Sequence, residues 1–318
     1  SVYMYNDYFE FATSTVTIKD STINVTLSGA PVYVGIYVDG GTVTLENVNV
    51  VVEANNSTSI YVLDLEMADV TMVNVSVHEV LYGASEAYPV FVYGANTVNI
   101  TDSAFYGEAY NMSYTYVVWL LDVLNVSIDG SEFSVYTYDR RPYNLSQTYM
   151  EGLDIYDYSG VGTIVYMSNS KIFANVTANH TLPYNFTDSC DDDYLWLSGV
   201  APMWTGLLTQ FTMDNVTVDL YVYWLATVTM WDYYSSLFVI NNSRMILHVI
   251  GGTPESELFF TYGTSTVYIY NSFISVDVHT EDETYFYTDP QTGEDVYAES
   301  YWVFAIGLFP YGTAFFID

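Results

Sequence analysis

Acid–base or metal chemistry needs imidazoles, carboxylates, thiols or cations brought together, and this chain offers few candidates. The four histidines, His78, His180, His248 and His279, stand far apart with no His-x-x-x-His pair, so local spacing gives no zinc site. Cys190 is the only cysteine, which leaves a free thiol or a link between two chains. Beside it Asp191, Asp192 and Asp193 form a run of hard oxygen ligands of the kind calcium takes. Neither an EF-hand nor a Gly-rich nonapeptide surrounds that run, and a solvated acidic loop is its plainer reading. Calcium is the one cofactor the sequence suggests. A phosphate-binding Gly loop and a serine nucleophile elbow are both missing. The expectation is a protein with no catalytic residues, not an enzyme.

Charge narrows the partners. The chain carries 38 Asp and Glu against 5 Lys and Arg, a formal net charge of -33. Binding to nucleic acid, or to anionic lipid through a basic patch, needs clustered cations that these five residues do not supply. Disordered acidic chains are poor in aromatics, yet this one has 34 Tyr, 17 Phe and 6 Trp, so it folds. Two long uncharged stretches, Tyr194 to Met213 and Tyr301 to Ile317, are interrupted by Gly and Pro. They read as strands and loops, with no membrane insertion.

Asn-x-Ser/Thr sequons are the strongest functional signal. Thirteen occur: Asn24, Asn55, Asn56, Asn74, Asn99, Asn111, Asn125, Asn144, Asn175, Asn179, Asn185, Asn215 and Asn241. Composition alone yields about four. Dense N-glycosylation of a secreted chain follows, and it supplies the solubility that a charge-poor surface lacks. Asn74 and Asn215 are expected to stay unmodified at an inward bend.

The elements that position these residues come from a repeat. The pattern x-φ-x-φ-x-(Asn/Asp)-(Ser/Val)-x-φ, with φ apolar, begins at Thr15, Thr42, Asp69, Thr97, Asn125, Ile164, Gln210, Leu237 and Thr266. Most spacings are 27 to 29 residues, too short for a four-stranded propeller blade and right for one turn of a β-solenoid. Apolar alternation marks strands with one buried face. The sixth position is Asp20, Asn47, Asn74, Asp102, Gly130, Asn169, Asn215, Asn242 and Asn271. Asn, Asp and Gly best tolerate a left-handed backbone, so a sharp corner with a ladder of side-chain amides is expected there. Insertions break the period at about 137–160, 175–197 and 277–299. The fold class is all-β: one parallel β-solenoid domain over 1–318, of about nine to eleven coils of ~27 residues.

This coil length, alternation and Asn corner resemble the right-handed parallel β-helix of pectate lyases and related proteins, over roughly Thr15 to Val276. The resemblance implies architecture and not activity. In its acidic, Tyr/Thr/Val-rich, Lys-poor composition and sequon density the chain is also similar to archaeal surface-layer, filament and methanogen sheath proteins. That likeness implies a glycosylated structural protein of the cell surface whose partners are copies of itself. A carbohydrate-binding or carbohydrate-active β-helix, with the tyrosines as a sugar-stacking face, is the alternative.

The two ends suggest how copies join. Thr313, Ala314, Phe315, Phe316, Ile317 and Asp318 match the first half of the repeat. Ser1, Val2, Tyr3, Met4 and Tyr5 align with the residues after the bend. Each end therefore reads as half a coil, and pairing of one copy's C-terminal edge with the next copy's N-terminal strand gives head-to-tail filaments or rings.

Overall fold

The computed structural model describes residues 2–5, 8–29, 35–57, 60–83, 85–110, 113–139, 148–178, 199–224, 226–250, 255–264, 266–279, 284–288, 295–298, 302–309 and 314–317. They form an all-β parallel solenoid with no helix, and its number of coils is close to the expected one.

Each coil contributes one strand to each of three sheets. The pre-bend sheet holds the strands of the repeat, such as Thr97–Thr101, Asn125–Asp129, Ile164–Ser168 and Gln210–Asp214. The post-bend sheet follows the corner, through Ala104–Tyr110, Glu132–Asp139, Lys171–Ala178 and Thr217–Trp224. The return sheet closes the coil, through Glu86–Tyr93, Tyr114–Leu121, Tyr149–Tyr156 and Gly199–Gly206. Equivalent strands of successive coils pair in parallel and in register, as Asn125–Asp129 does with Thr97–Thr101 and Ile164–Ser168.

Alternation explains the core. Val43 and Leu45, Val98 and Ile100, and Phe211 and Met213 point inward and are buried. The residues between them face out. Because the register repeats, like stacks on like: Phe105 lies on Phe133 with centroids 5.0 Å apart, and Phe211 on Phe238 at 4.9 Å.

The corner is the second determinant. Asp20, Asn47, Asn74, Asp102, Asn169, Asn215, Asn242 and Asn271 all hold φ between 46° and 56°, and Gly130 holds 61°. Their side chains form short ladders: Asn47 Nδ2 donates to Asp20 Oδ1 at 2.8 Å, and Asn74 Nδ2 to Asn47 Oδ1 at 2.9 Å. Asn215 Nδ2 donates to Asn169 Oδ1 at 2.8 Å. Where Gly130 supplies no side chain, Asp129 steps in and accepts from Asn169 at 2.7 Å. Asn242 likewise turns to Asp214, at 2.9 Å. These side chains are exposed, which corrects the expected inward bend at Asn74 and Asn215: positive φ swings the side chain out along the corner and buries the next residue instead.

That next residue is often serine, and it builds an inner ladder. Ser131 Oγ donates to the Asp129 carbonyl at 3.0 Å and accepts the Ser103 N–H at 3.1 Å. Ser170 repeats the arrangement for Ser131, and Ser272 for Ser243. A buried N–H without a partner costs about 1–3 kcal/mol, so each serine satisfies a backbone group that the turning chain cannot.

The expected insertions are shorter than read. Within 137–160, Tyr149–Tyr156 is a regular return strand paired on both sides. Asn175 lies on the post-bend strand Lys171–Ala178, outside any loop. Asp277 to His279 end the post-bend strand Phe273–His279, and Thr284–Thr288 forms an antiparallel hairpin with Asp295–Ala298. Ser1, Thr313, Asp318, Asn111, Asn144, Asn179, Asn185, Cys190 and Asp191 to Asp193 lie outside the described residues.

Candidate functional site

Among the described residues, the outermost pre-bend and post-bend strands each have a parallel neighbour on one side. At the C-terminal end, among the described residues, Phe273–His279 pairs only with Arg244–Ile250, and Trp302–Phe309 only with Glu255–Tyr262. Among the described residues Ala314–Ile317 likewise pairs only with Thr266–Tyr270. Among the described residues no strand covers the outer edges of these three. Ile274, Val276, Val303 and Ile306 pack against the core but stay only partly buried. At the other end Ile18, Ile23, Leu27 and Ile36 are in the same state.

The N-terminal residues behave differently from the expectation. Val2–Tyr5 folds back antiparallel on Tyr8 to Phe11, extending the return sheet instead of supplying a post-bend strand. The antiparallel turn wins because only two residues separate the strands, too few for a parallel crossover. Among the described residues, Thr15 to Ser28 of the first coil pair only with the second coil.

The outer faces carry tyrosine in quantity, and stacking decides what those rings can do. Tyr82 lies on Tyr110 at 5.1 Å and 13°, Tyr88 on Tyr116 at 5.6 Å and 17°, and Tyr233 on Tyr262 at 5.2 Å and 8°. In these three pairs the ring faces cover one another between successive coils. Several hydroxyls are also committed to carboxylates: Tyr37 to Glu66 at 3.0 Å, and Tyr106 to Glu108 at 2.9 Å. Burial and these acceptors push Tyr106 well above the ordinary tyrosine range.

One acidic pair stands out on the return sheet. Glu151 and Asp154 lie in register between Tyr116 and Trp119 of the preceding coil and Ala201 and Trp204 of the next. Both are buried. Burial, with Asp154 beside it, pushes Glu151 well up; burial pushes Asp154 up to about 7. Tyr149 Oη donates to Glu151 Oε1 at 2.8 Å. Glu151 Oε2 and Asp154 Oδ1 are buried with no hydrogen-bond partner. Among the described residues no Lys or Arg stands on this sheet: Lys19 pairs with Glu46 on the pre-bend sheet, and Lys171 and Arg244 begin post-bend strands.

The sequons sort by geometry. Asn24, Asn55, Asn56, Asn99 and Asn125 are exposed. Asn175 is half-buried on its strand, and Asn241 commits its Nδ2 to Asp214 at 2.9 Å. The ladder holds the Nδ2 of Asn74 and Asn215 at the corner. No helix among the described residues is long and apolar enough to cross a membrane.

Fold and faces together define a parallel β-solenoid. Compared with protein-family models, curated proteins and solved structures, the chain matches none, and the archaeal surface-protein likeness has no homologue behind it.

Proposed function

We propose that the chain is an extracellular, N-glycosylated structural subunit that stacks head to tail into a filament, ring or sheath of an archaeal-type cell surface. The observation that carries this reading is that, among the described residues, the outermost pre-bend and post-bend strands have a parallel neighbour on one side only and carry apolar residues that face the core yet remain partly exposed. Stacking one copy's first coil on another's last coil extends the pre-bend and post-bend sheets and buries Ile18, Ile23 and Leu27 against Ile274 and Val276. Such contacts are heterologous and continue from copy to copy. Sequon density and the scarcity of Lys and Arg support the surface setting.

The net charge of -33 opposes stacking, so association strengthens as salt screens it, over a Debye length of about 8 Å at physiological ionic strength. Sedimentation and electron microscopy of the intact chain across ionic strength test this. Concentration-dependent polymers are expected, and Ile274→Asp with Val276→Asp should abolish them while circular dichroism stays that of a β protein. An intact chain that remains monomeric at high concentration and high salt refutes the proposal.

A further inference from the structure

The stacked tyrosine pairs differ in how far solvent reaches them. Tyr82 ends the strand Ser76–Tyr82, and Tyr110 ends its parallel neighbour Ala104–Tyr110 in the next coil. The two are register partners, so their side chains leave the post-bend sheet on the same side, one above the other. Their rings lie 5.1 Å apart and 13° from parallel. Tyr82 is 40% exposed, and Tyr110 is half-buried. Tyr138 continues the row, but its ring meets Tyr110 edge-on at 6.4 Å. Tyr88 and Tyr116 on the return sheet stack almost as closely, at 5.6 Å and 17°, yet Tyr88 is only 7% exposed.

The phenol is the cross-linking group this chain has in supply. Lys19 and Lys171 are its only lysines and Cys190 its only cysteine, so amide and disulfide links have few starting points. Two tyrosines link by oxidation. Each phenol gives up one electron and its hydroxyl proton. The two phenoxyl radicals join through the Cε carbons beside their oxygens, and the hydrogens on those carbons move to the oxygens, restoring both phenols. The two electrons and two protons reduce one hydrogen peroxide to two waters when a haem peroxidase carries the oxidation. Proton removal is prepared at Tyr110, whose hydroxyl donates to Glu108 Oε1. The other carboxylate oxygen, Oε2, accepts from Tyr106 at 2.9 Å, which fixes Glu108 in place beside the pair.

We propose that Tyr82 and Tyr110 form a site of oxidative modification, where a haem peroxidase and hydrogen peroxide couple them into a dityrosine cross-link between successive coils. The register holds the two rings together, an encounter that separate tyrosines would have to find by diffusion. The exposed ring of Tyr82 gives the oxidant access to the pair. The link closes a loop one coil long and restricts the unfolded chain as a disulfide does. It lies within one chain, so it stands whether or not copies stack.

Treatment of the full chain with a haem peroxidase and hydrogen peroxide, at a dilution that keeps it monomeric, tests the assignment. Dityrosine fluorescence is expected, with an intact mass lower by two hydrogens and a peptide map that joins the Tyr82 strand to the Tyr110 strand. In Tyr82→Phe the joined peptide should be lost and Tyr110 recovered unlinked. Phenylalanine keeps the ring and its stacking at an exposed position, so this variant retains the coil. A map without the Tyr82–Tyr110 link overturns the proposal. So does equal yield at the buried Tyr88–Tyr116 pair, or Tyr110 coupling as readily to another tyrosine in Tyr82→Phe; either leaves unselective oxidation of a tyrosine-rich chain.

Discussion

Glu79 provides the sharpest test of how the core is held. It points into the solenoid from Ser76–Tyr82, between Val77 and Leu81, and is fully buried. Its Oε2 lies 2.8 Å from Thr115 Oγ1, which lies 2.8 Å from the Ala87 carbonyl. One hydroxyl hydrogen cannot serve both acceptors. The chain of bonds closes if Glu79 is protonated, donating to Thr115, which donates onward to Ala87. Burial pushes the Glu79 carboxyl up to about 8, so it enters neutral solution carrying a proton that the unfolded chain has released. The native state then binds more protons than the unfolded state, and stability falls as pH rises from about 4.5, levelling off above about 8. Between about pH 4 and about pH 7 this one group removes about 3 kcal/mol, at 1.36 kcal/mol per pKa unit. Glu79→Gln places an uncharged donor against Thr115 and abolishes the dependence. Its surplus N–H costs about 1 kcal/mol at every pH, and that cost cancels when the variant–native difference is compared between the two pH values. Urea denaturation of both proteins at about pH 4 and about pH 7 is the assay, and the variant should gain about 3 kcal/mol on the native chain over that interval. Parallel pH profiles, agreeing within about 0.5 kcal/mol, would mean that Glu79 is ionised when folded, and the reasoning would fail.

Two further outcomes are expected. Leu207 holds φ of 58° with its side chain 40% exposed; Leu207→Asn should raise stability by about 0.5–1 kcal/mol in the same denaturation assay, since asparagine tolerates the left-handed region that leucine does not. Intact-mass measurement of native protein should exceed the 36.0 kDa of the chain, with peptide mapping placing glycans on Asn24, Asn99 and Asn125 and none on Asn74 or Asn215; a mass equal to the bare chain refutes it.

What could be read in the sequence follows from which positions admit few residue types. The first corner is legible because φ near 50° excludes most side chains, and Asn47, Asn74 and Asn169 record that exclusion in every copy. A second left-handed corner, between the return and pre-bend sheets, passes unnoticed. It is occupied by Met67, Gly94, Asp122, Leu207, Tyr234 and Gly263, which share no pattern because packing across coils overrides local preference. Gly94 shows how: a Cβ there would lie 2.5 Å from Met67 Sδ, so the bulky residue of one coil depends on the small residue of the next. Glu151 and Asp154 are illegible for a related reason. They fall in a stretch that looks like an insertion, and only the register with Tyr116 and Trp119 shows it to be a coil. The contact of His248 with Asp277 escapes a search for helical spacing because the two are joined by the solenoid period. His248 and Asp277 are neighbours because one coil separates them, as Phe105 and Phe133 are in the core. In a solenoid the informative spacing for chemistry is therefore the coil length, with an offset of two along the strand. A carboxylate or imidazole gains a partner whenever the next coil carries one in the same row.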